Sequence, residues 1–351
     1  MGPLFRIHEN AKLILRWLLI VVPISVAVGS VVALFLWLLD LATVTRGEHP
    51  WLLYLLPVVG LVIVFSHRAA GKNAEAGNNL ILDEIHAPGA GVPGRMAPLV
   101  LAGTVVTHLF GGSVGREGTA VQIGGAVSEQ FCTWFKLNEE DRRLLLTAGI
   151  AAGFGACFGT PLAGTIFALE VLAVGRIKFD AVIPALFAAC IADLVCTACG
   201  APHTQYRIGY LEQVVQWKYH IGFNLWLTGK VMLAAVVFGL AGYLFGELMH
   251  LFKDIFKVVL KNAYLIVVVG GLIVIGLVML IGNTDYIGLG VTATREGGVS
   301  ILSAFEPGGA QWYSWALKLL LTAITLAAGF KGGEVTPLFF IGATLGNTLA
   351  W

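Results

Sequence analysis

Apolar stretches recur along almost the whole chain, and they limit the possible folds before any single motif does. They cover residues 17–39, 51–65, 96–110, 120–135, 144–158, 162–174, 181–195, 225–245, 264–281, 315–329 and 338–351. The sequence is 57% hydrophobic and only 12% charged, with mean hydropathy +0.84, whereas soluble domains carry about 25% charged residues. A chain of this kind folds in lipid. Stretch 17–39 can span a bilayer with some tilt, since a crossing needs about 20 residues. Several others are shorter and are interrupted by glycine or proline. Broken apolar helices survive at membrane depth only where protein or a water-filled cavity satisfies the freed backbone groups. The expected fold class is therefore an all-α polytopic membrane protein whose broken helices line a pathway.

Several function classes drop out early. The net charge of +1, with no basic run, gives no basis for nucleic-acid binding. Arg6, Lys12 and Arg16 precede the first apolar stretch, which predicts a cytoplasmic N-terminus. That stretch is too long for a signal-peptide core. Cys196 and Cys199 have the spacing of a metal or redox pair, but no histidine or second pair accompanies them in a plausible frame. The five cysteines are read as buried structural thiols, and no metal or cofactor is expected. His108, inside an apolar stretch, is read as a core histidine, and His49, before Pro50, as a solvated one.

An internal repeat is the most informative pattern. Residues 111–125 read G-G-S-V-G-R-E-G-T-A-V-Q-I-G-G. Shifted by 217 positions, Gly112, Gly115, Glu117, Thr119 and Gly125 fall on Gly329, Gly332, Glu334, Thr336 and Gly342, and Ala120 falls on Pro337. Shared Glu and Thr at fixed spacing favour duplication over composition bias. Two related halves, 1–200 and 201–351, follow from this, the second apparently unfinished because its match to the first stops at Trp351. Carboxylates at membrane depth are costly and are functional candidates, so Glu117 and Glu334 are expected to be a matched, buried pair. Glycine-rich turns that open onto helix N-termini present backbone amides and partial positive charge to an anion. Gly77-Asn78-Asn79 forms a third such break, its bland reading being an ordinary helix cap. The bland reading of the two glutamates is pairing with Arg116 or Lys331. Glu170, near Arg176 and Lys178, is read as a structural ion pair at the cytoplasmic rim. Gly111-Gly112-Ser113-Val114-Gly115 also fits the nucleophile-elbow pattern G-x-S-x-G, which raises an intramembrane serine hydrolase using Ser113. That elbow requires a preceding strand, and the duplicated copy has Phe330 in place of the serine while keeping the glutamate.

With those residues set out, the chain resembles the CLC chloride channels and anion/proton antiporters. Gly115-Arg116-Glu117-Gly118-Thr119 is similar to the family's G-R-E-G-P motif, with Thr in place of Pro. Gly333-Glu334-Val335-Thr336-Pro337 is similar to its G-x-F-x-P motif. Gly153-Phe154, Pro161-Leu162-Ala163-Gly164 and Phe167 resemble a third family stretch. The resemblance implies two inverted helical repeats whose broken helices meet at a central anion site, one pathway per subunit, a homodimer, and a multi-pass location in the cell (inner) membrane. It also implies that the family's last helices, with the tyrosine that closes the site, lie beyond Trp351. Three departures resemble the fluoride/proton antiporter branch: Glu75-Ala76-Gly77-Asn78-Asn79 lacks the chloride-binding serine, Val171 stands where proton-coupled chloride exchangers carry an acid, and Glu334 replaces an apolar residue. By that likeness Glu117 is the gating, proton-carrying glutamate. Glu334 also takes part in proton transfer and lines the site with Thr336. Gly115, Arg116, Gly118 and Val335 contribute to it, and Asn78 or Asn79 replaces the serine. The expected partners are a halide (fluoride or chloride), protons and the bilayer. A chloride channel or chloride/proton exchanger is the alternative.

Overall fold

The computed structural model describes residues 3–70, 77–87, 89, 91–171, 179–204, 206 and 225–350, and of these the side chains of 3–16 and of 227 are left out of account. The described residues form helices α1 (Pro3–Glu48), α2 (Leu56–Ala70, led in by a 3-10 turn, Pro50–Leu55), α3 (Asn78–His86), α4 (Met96–Leu109), α5 (Glu117–Trp134), α6 (Glu139–Phe158), α7 (Pro161–Glu170), α8 (Phe179–Ala198), α9 (Leu225–Leu260), α10 (Ala263–Ile281), α11 (Ser314–Ala327) and α12 (Val335–Ala350). Among the described residues the strand-like pairing is a single isolated antiparallel bridge, Gly115 with Gly333. Among the described residues five segments are long and apolar enough to cross a bilayer: Trp17–Glu48, Pro50–Ala70, Phe179–Ala198, Thr228–Leu260 and Ala263–Ile281. Their outward faces carry large apolar side chains such as Leu19, Phe179, Leu233 and Leu280. A surface of this kind is stable against lipid rather than water.

Local chemistry sets the helix ends. The Asn138 side chain accepts from the Asp141 amide at 2.8 Å, Glu139, Glu140 and Asp141 occupy the first turn of α6, and Gly159 closes it at φ 69°. A side-chain cap, acids at the positive end and a left-handed glycine beyond the last turn are the arrangement the helix backbone favours. Helix α10 uses the same devices, Asn262 at one end and Gly282 at the other. Pro161 starts α7, where its missing N–H costs nothing.

Packing resolves the chain into two compact units that interleave along the sequence. One comprises Met1–Leu41, Phe65–Val105 and Glu117–His203; the other comprises Ala42–Val64, Val106–Arg116 and Thr204–Trp351. The first is built around α6, whose residues 145–157 are all buried and which packs against α3, α5, α7 and α8. A methyl group added at Gly124 or Gly149 would collide with the backbone of the opposite helix, so α5 and α6 lie at near backbone contact. In the second unit α11 packs on α9, α10 and α12, around a core that includes Val267, Val274, Tyr286, Leu321 and Phe340.

The short helices come as hairpins. Helix α4 has 14 residues, about 21 Å at 1.5 Å per residue, too short for a core of about 30 Å. In the first unit Gly94, before α4, lies beside Gln130 near the end of α5. Thr104 and Thr119 share a hydrogen bond of 2.6 Å near the turn, so the chain doubles back. Helices α11 and α12, joined by residues 328–334, repeat this plan in the second unit. The 217-residue shift carries α4 onto 313–326 and α5 onto 334–351, and the observed helices begin one residue later, at Ser314 and Val335.

Candidate anion site

The residues expected at the site fall in both units, and those of each unit are described by their own geometry. In the first unit, Glu117 is the first residue of α5 and is 1% exposed. Gly118 is half-buried, and Thr119 is buried with its hydroxyl on Thr104. Helix α3 starts beside α5: the space over Gly77 is filled by the Gln122 side-chain amide, whose Nε2 would stand 3.5 Å from a Cβ there. The cap of α3 is Gly77 itself, at φ 60°, so Asn78 and Asn79 are its first helical residues and both are exposed. This corrects the reading of the asparagines as caps, because a left-handed backbone at that point suits glycine. Glu75 and Ala76, like Lys72, lie outside the described residues. Arg176 and Lys178 do as well, so the ion pair expected for Glu170 also falls outside them.

In the second unit the duplicated turns are tied together. The Gly115 amide donates to the Gly333 carbonyl at 2.5 Å, and the Gly333 amide donates to the Gly115 carbonyl at 2.8 Å. Glu117 follows two residues after one end of this bridge and Glu334 one residue after the other. Arg116 is buried, Val335 is half-buried, and Thr336 is 1% exposed. Glu334, expected to be buried, is exposed. Its carbonyl accepts from the Leu338 amide at 3.0 Å, which puts it at the cap position, where a side chain projects off the helix rather than into the packing. The two glutamates match in sequence but differ in burial.

Ser113 is held rather than poised for chemistry. Its hydroxyl donates to the Tyr286 carbonyl at 3.0 Å and lies 2.9 Å from the Thr322 hydroxyl, and its amide reaches Thr325 Oγ1 at 3.3 Å. It follows helix α4 and a turn, not a strand, so the elbow geometry is missing. Two bonds to fully buried groups make Ser113 a structural clamp on the turn before Glu117. The five cysteines form no disulfide: Cys132, Cys157 and Cys196 are buried, whereas Cys190 is half-buried and Cys199 exposed. Cys199 sits past the end of α8, where packing stops. His108 is fully buried and His49 exposed, as read.

Sequence reasoning missed three groups around these turns. Gln122 is one. A second is the cluster Glu84–Arg142–Glu129 in the first unit. Arg142 Nη2 reaches Glu84 at 2.7 Å, and its Nε reaches Glu129 at 2.9 and 3.0 Å. Glu84 also accepts from the Gly89 and Gly91 amides at 2.9 Å. The cluster fastens the far ends of α3 and α5 to the start of α6, and so fixes where their N-termini point. The third group is a pair of buried cations, Arg46 and Lys318, in the second unit. A charge inside stretch 315–329 was visible in the sequence, but its partners were not.

Comparison with known proteins places these features. A family profile described as voltage gated chloride channel matches residues 54–351. The chain belongs to the CLC family. A protein of Pseudomonas syringae pv. tomato named chloride/fluoride channel protein is 47% identical over 99% of this chain and 75% of its own length. The H(+)/Cl(-) exchange transporter ClcA of Vibrio cholerae is 29% identical over 72% of this chain and 52% of its own length. Among solved structures, a CLC-type fluoride/proton antiporter superposes with TM-score 0.87 at 32% identity, covering 96% of this chain and 81% of that one. A slow cyanobacterial Cl-/H+ antiporter superposes with TM-score 0.73 at 20% identity over 92% and 76% of the two chains, a likeness of fold. This CLC chain is thus an all-α polytopic membrane protein of a transporter and channel family, not an enzyme, and it sits in the fluoride-associated branch.

Proposed function

We propose that the protein exports fluoride in exchange for protons across the cell's inner membrane, with Glu117 as the gating and proton-carrying group. The observation that carries this reading is the Gly115–Gly333 bridge, which fastens the two duplicated turns to each other directly ahead of Glu117 and Glu334. Helix N-termini begin at both glutamates, and the amide donors and partial positive charge of a helix start favour an anion. An ionised Glu117 competes with the anion for those amides, and a protonated one releases them, which links anion occupancy to proton movement. Glu334 takes part in the proton step. Thr336, with its hydroxyl buried, Val335, Gly115, Arg116 and Gly118 belong to the anion-binding part, with Asn78 or Asn79 as donors from α3. Fluoride is small and strongly hydrated, so a site rich in hydrogen-bond donors favours it over chloride.

The reading is supported by the names of the Pseudomonas relative and of the 32%-identical antiporter, and a homodimer of subunits with one pathway each completes it. The duplicated halves are taken as 1–200 and 201–351. The second reading is a chloride channel or chloride/proton exchanger, favoured by the name of the Vibrio relative. Fluoride and chloride efflux from proteoliposomes, recorded with proton uptake, decides between them. Wild type should expel fluoride faster than chloride and take up protons, and Glu117→Gln should lose the proton movement. Equal passive flux of both anions without protons would rule out antiport.

A further inference from the structure

Among the described residues of the second unit, the buried Arg46 and Lys318 have backbone carbonyls rather than a carboxylate as hydrogen-bond partners. Arg46, near the end of α1, is 6% exposed, and Lys318, in α11, is 0% exposed. Arg46 Nη1 donates to the His108 carbonyl at 2.9 Å, at the C-terminal end of α4, and its guanidinium lies against Gly288. Lys318 Nζ donates to the carbonyls of Gly288 at 2.7 Å and Tyr286 at 3.3 Å, and stands 5.3 Å from the centre of the Phe340 ring. The two are close enough for their charges to interact. Carbonyls and a ring face solvate these groups but do not neutralise them, and an uncompensated buried charge is costly.

A cavity of about 170 Å³ opens onto Arg46, lined also by Thr284, Thr294, Arg295, Leu53 and Ile287. No acid lines it. Arg295 reaches the carboxylate of Asp285, which is not part of the lining, through two bonds of 2.7 and 2.8 Å, so among the described lining residues Arg46 is the cation without a carboxylate partner. A water needs about 10–15 Å³ of such space, so the cavity has room for a small anion with several waters. With the cytoplasmic N-terminus expected from Arg6, Lys12 and Arg16, the far end of α1 lies on the outer side.

We propose that this cavity is a second anion site, at the outer end of α1, where a small inorganic anion docks against Arg46 with Thr284 and Thr294 as hydroxyl donors. The buried Lys318 adds to the positive field. This rests on the anion-transport reading and adds a site apart from the glutamate turns.

Thr294 is exposed, so changing it leaves the packing alone. In proteoliposomes at low ionic strength, Thr294→Glu should raise the fluoride concentration for half-maximal efflux by roughly tenfold, since charge at a mouth alters anion approach by about 10–1000-fold. The shift should shrink near 1 M of an impermeant salt, where screening acts over about 3 Å, and Thr294→Gln, which adds no charge, should shift the half-maximal concentration far less than Thr294→Glu does. Bromide, detected by anomalous scattering from crystals of the full chain, should appear within hydrogen-bond distance of Arg46 in wild type and be lost in Thr294→Glu. An unchanged half-maximal concentration, a shift insensitive to salt, or the absence of bromide from this cavity overturns the proposal. If wild type transports no anion while bromide still binds here, the transport reading fails and this site stands.

Discussion

At the residue scale, the segment before Glu117 separates what is held from what is free to act. Ser113 is fully buried and bonded to Tyr286 and Thr322. Ser113→Ala takes the Ser113 partner from the buried Thr322 hydroxyl, at a cost of about 1–3 kcal/mol for a polar group left unsatisfied, while the Tyr286 carbonyl keeps Lys318 as a donor. Its thermal midpoint in detergent should fall while anion flux per folded molecule persists; loss of flux with an unchanged midpoint would revive a chemical role for the serine. Thr336 is the counterpart test, because its hydroxyl is read as a donor to the anion. A hydrogen bond to a charged group contributes about 1.5–3 kcal/mol, so Thr336→Val should reduce the preference for fluoride over chloride by roughly 10–100-fold. Flux ratios from paired efflux measurements check this, and an unchanged ratio removes Thr336 from the site.

At the element scale, the positions of the helix starts depend on what fastens the helix ends. Arg142 joins Glu84 and Glu129 with side chains only 13%, 7% and 10% exposed. Removing the one cation leaves two carboxylates facing each other, and breaking a buried pair in this way costs about 3–5 kcal/mol. Arg142→Met should therefore be strongly destabilising, and Arg142→Met combined with Glu84→Gln and Glu129→Gln should recover much of the loss. Equal midpoints for the single and triple variants would show that the cluster does not fasten α3 and α5. The α5–α6 contact makes a second demand on the same helices. Gly149→Ala drives a methyl group into Gly124 and Ser128, and overpacking of this kind costs typically about 1–3 kcal/mol.

At the scale of the whole molecule, coupling is the property to measure. If Glu117 alternates between holding the amides and carrying a proton, an inward proton gradient should drive fluoride out of proteoliposomes against its own gradient. A fluoride electrode and a pH electrode in one chamber read both movements. Fluoride that only runs down its gradient, whatever the pH difference, would mark a channel. Glu117→Gln should convert uphill export into passive leak.

The sequence alone determined that the chain folds in lipid, because so little charge over so many apolar stretches has no soluble solution. It also determined the duplication, since Glu and Thr recur at fixed spacing, and the family, since the motifs around Glu117 and Glu334 occur together. Tertiary structure decided what spacing does not encode. It placed Gly77 rather than an asparagine at the cap of α3, and it left Glu334 exposed while burying Glu117, although the two match in sequence. It also brought together Glu84, Glu129 and Arg142, and gathered Arg46 and Lys318 about Gly288, with Lys318 on the Tyr286 and Gly288 carbonyls and Arg46 on that of His108. Periodicity records which residues avoid water, but the balance of a buried charge depends on which distant segment supplies its partner, and only the folded chain sets that.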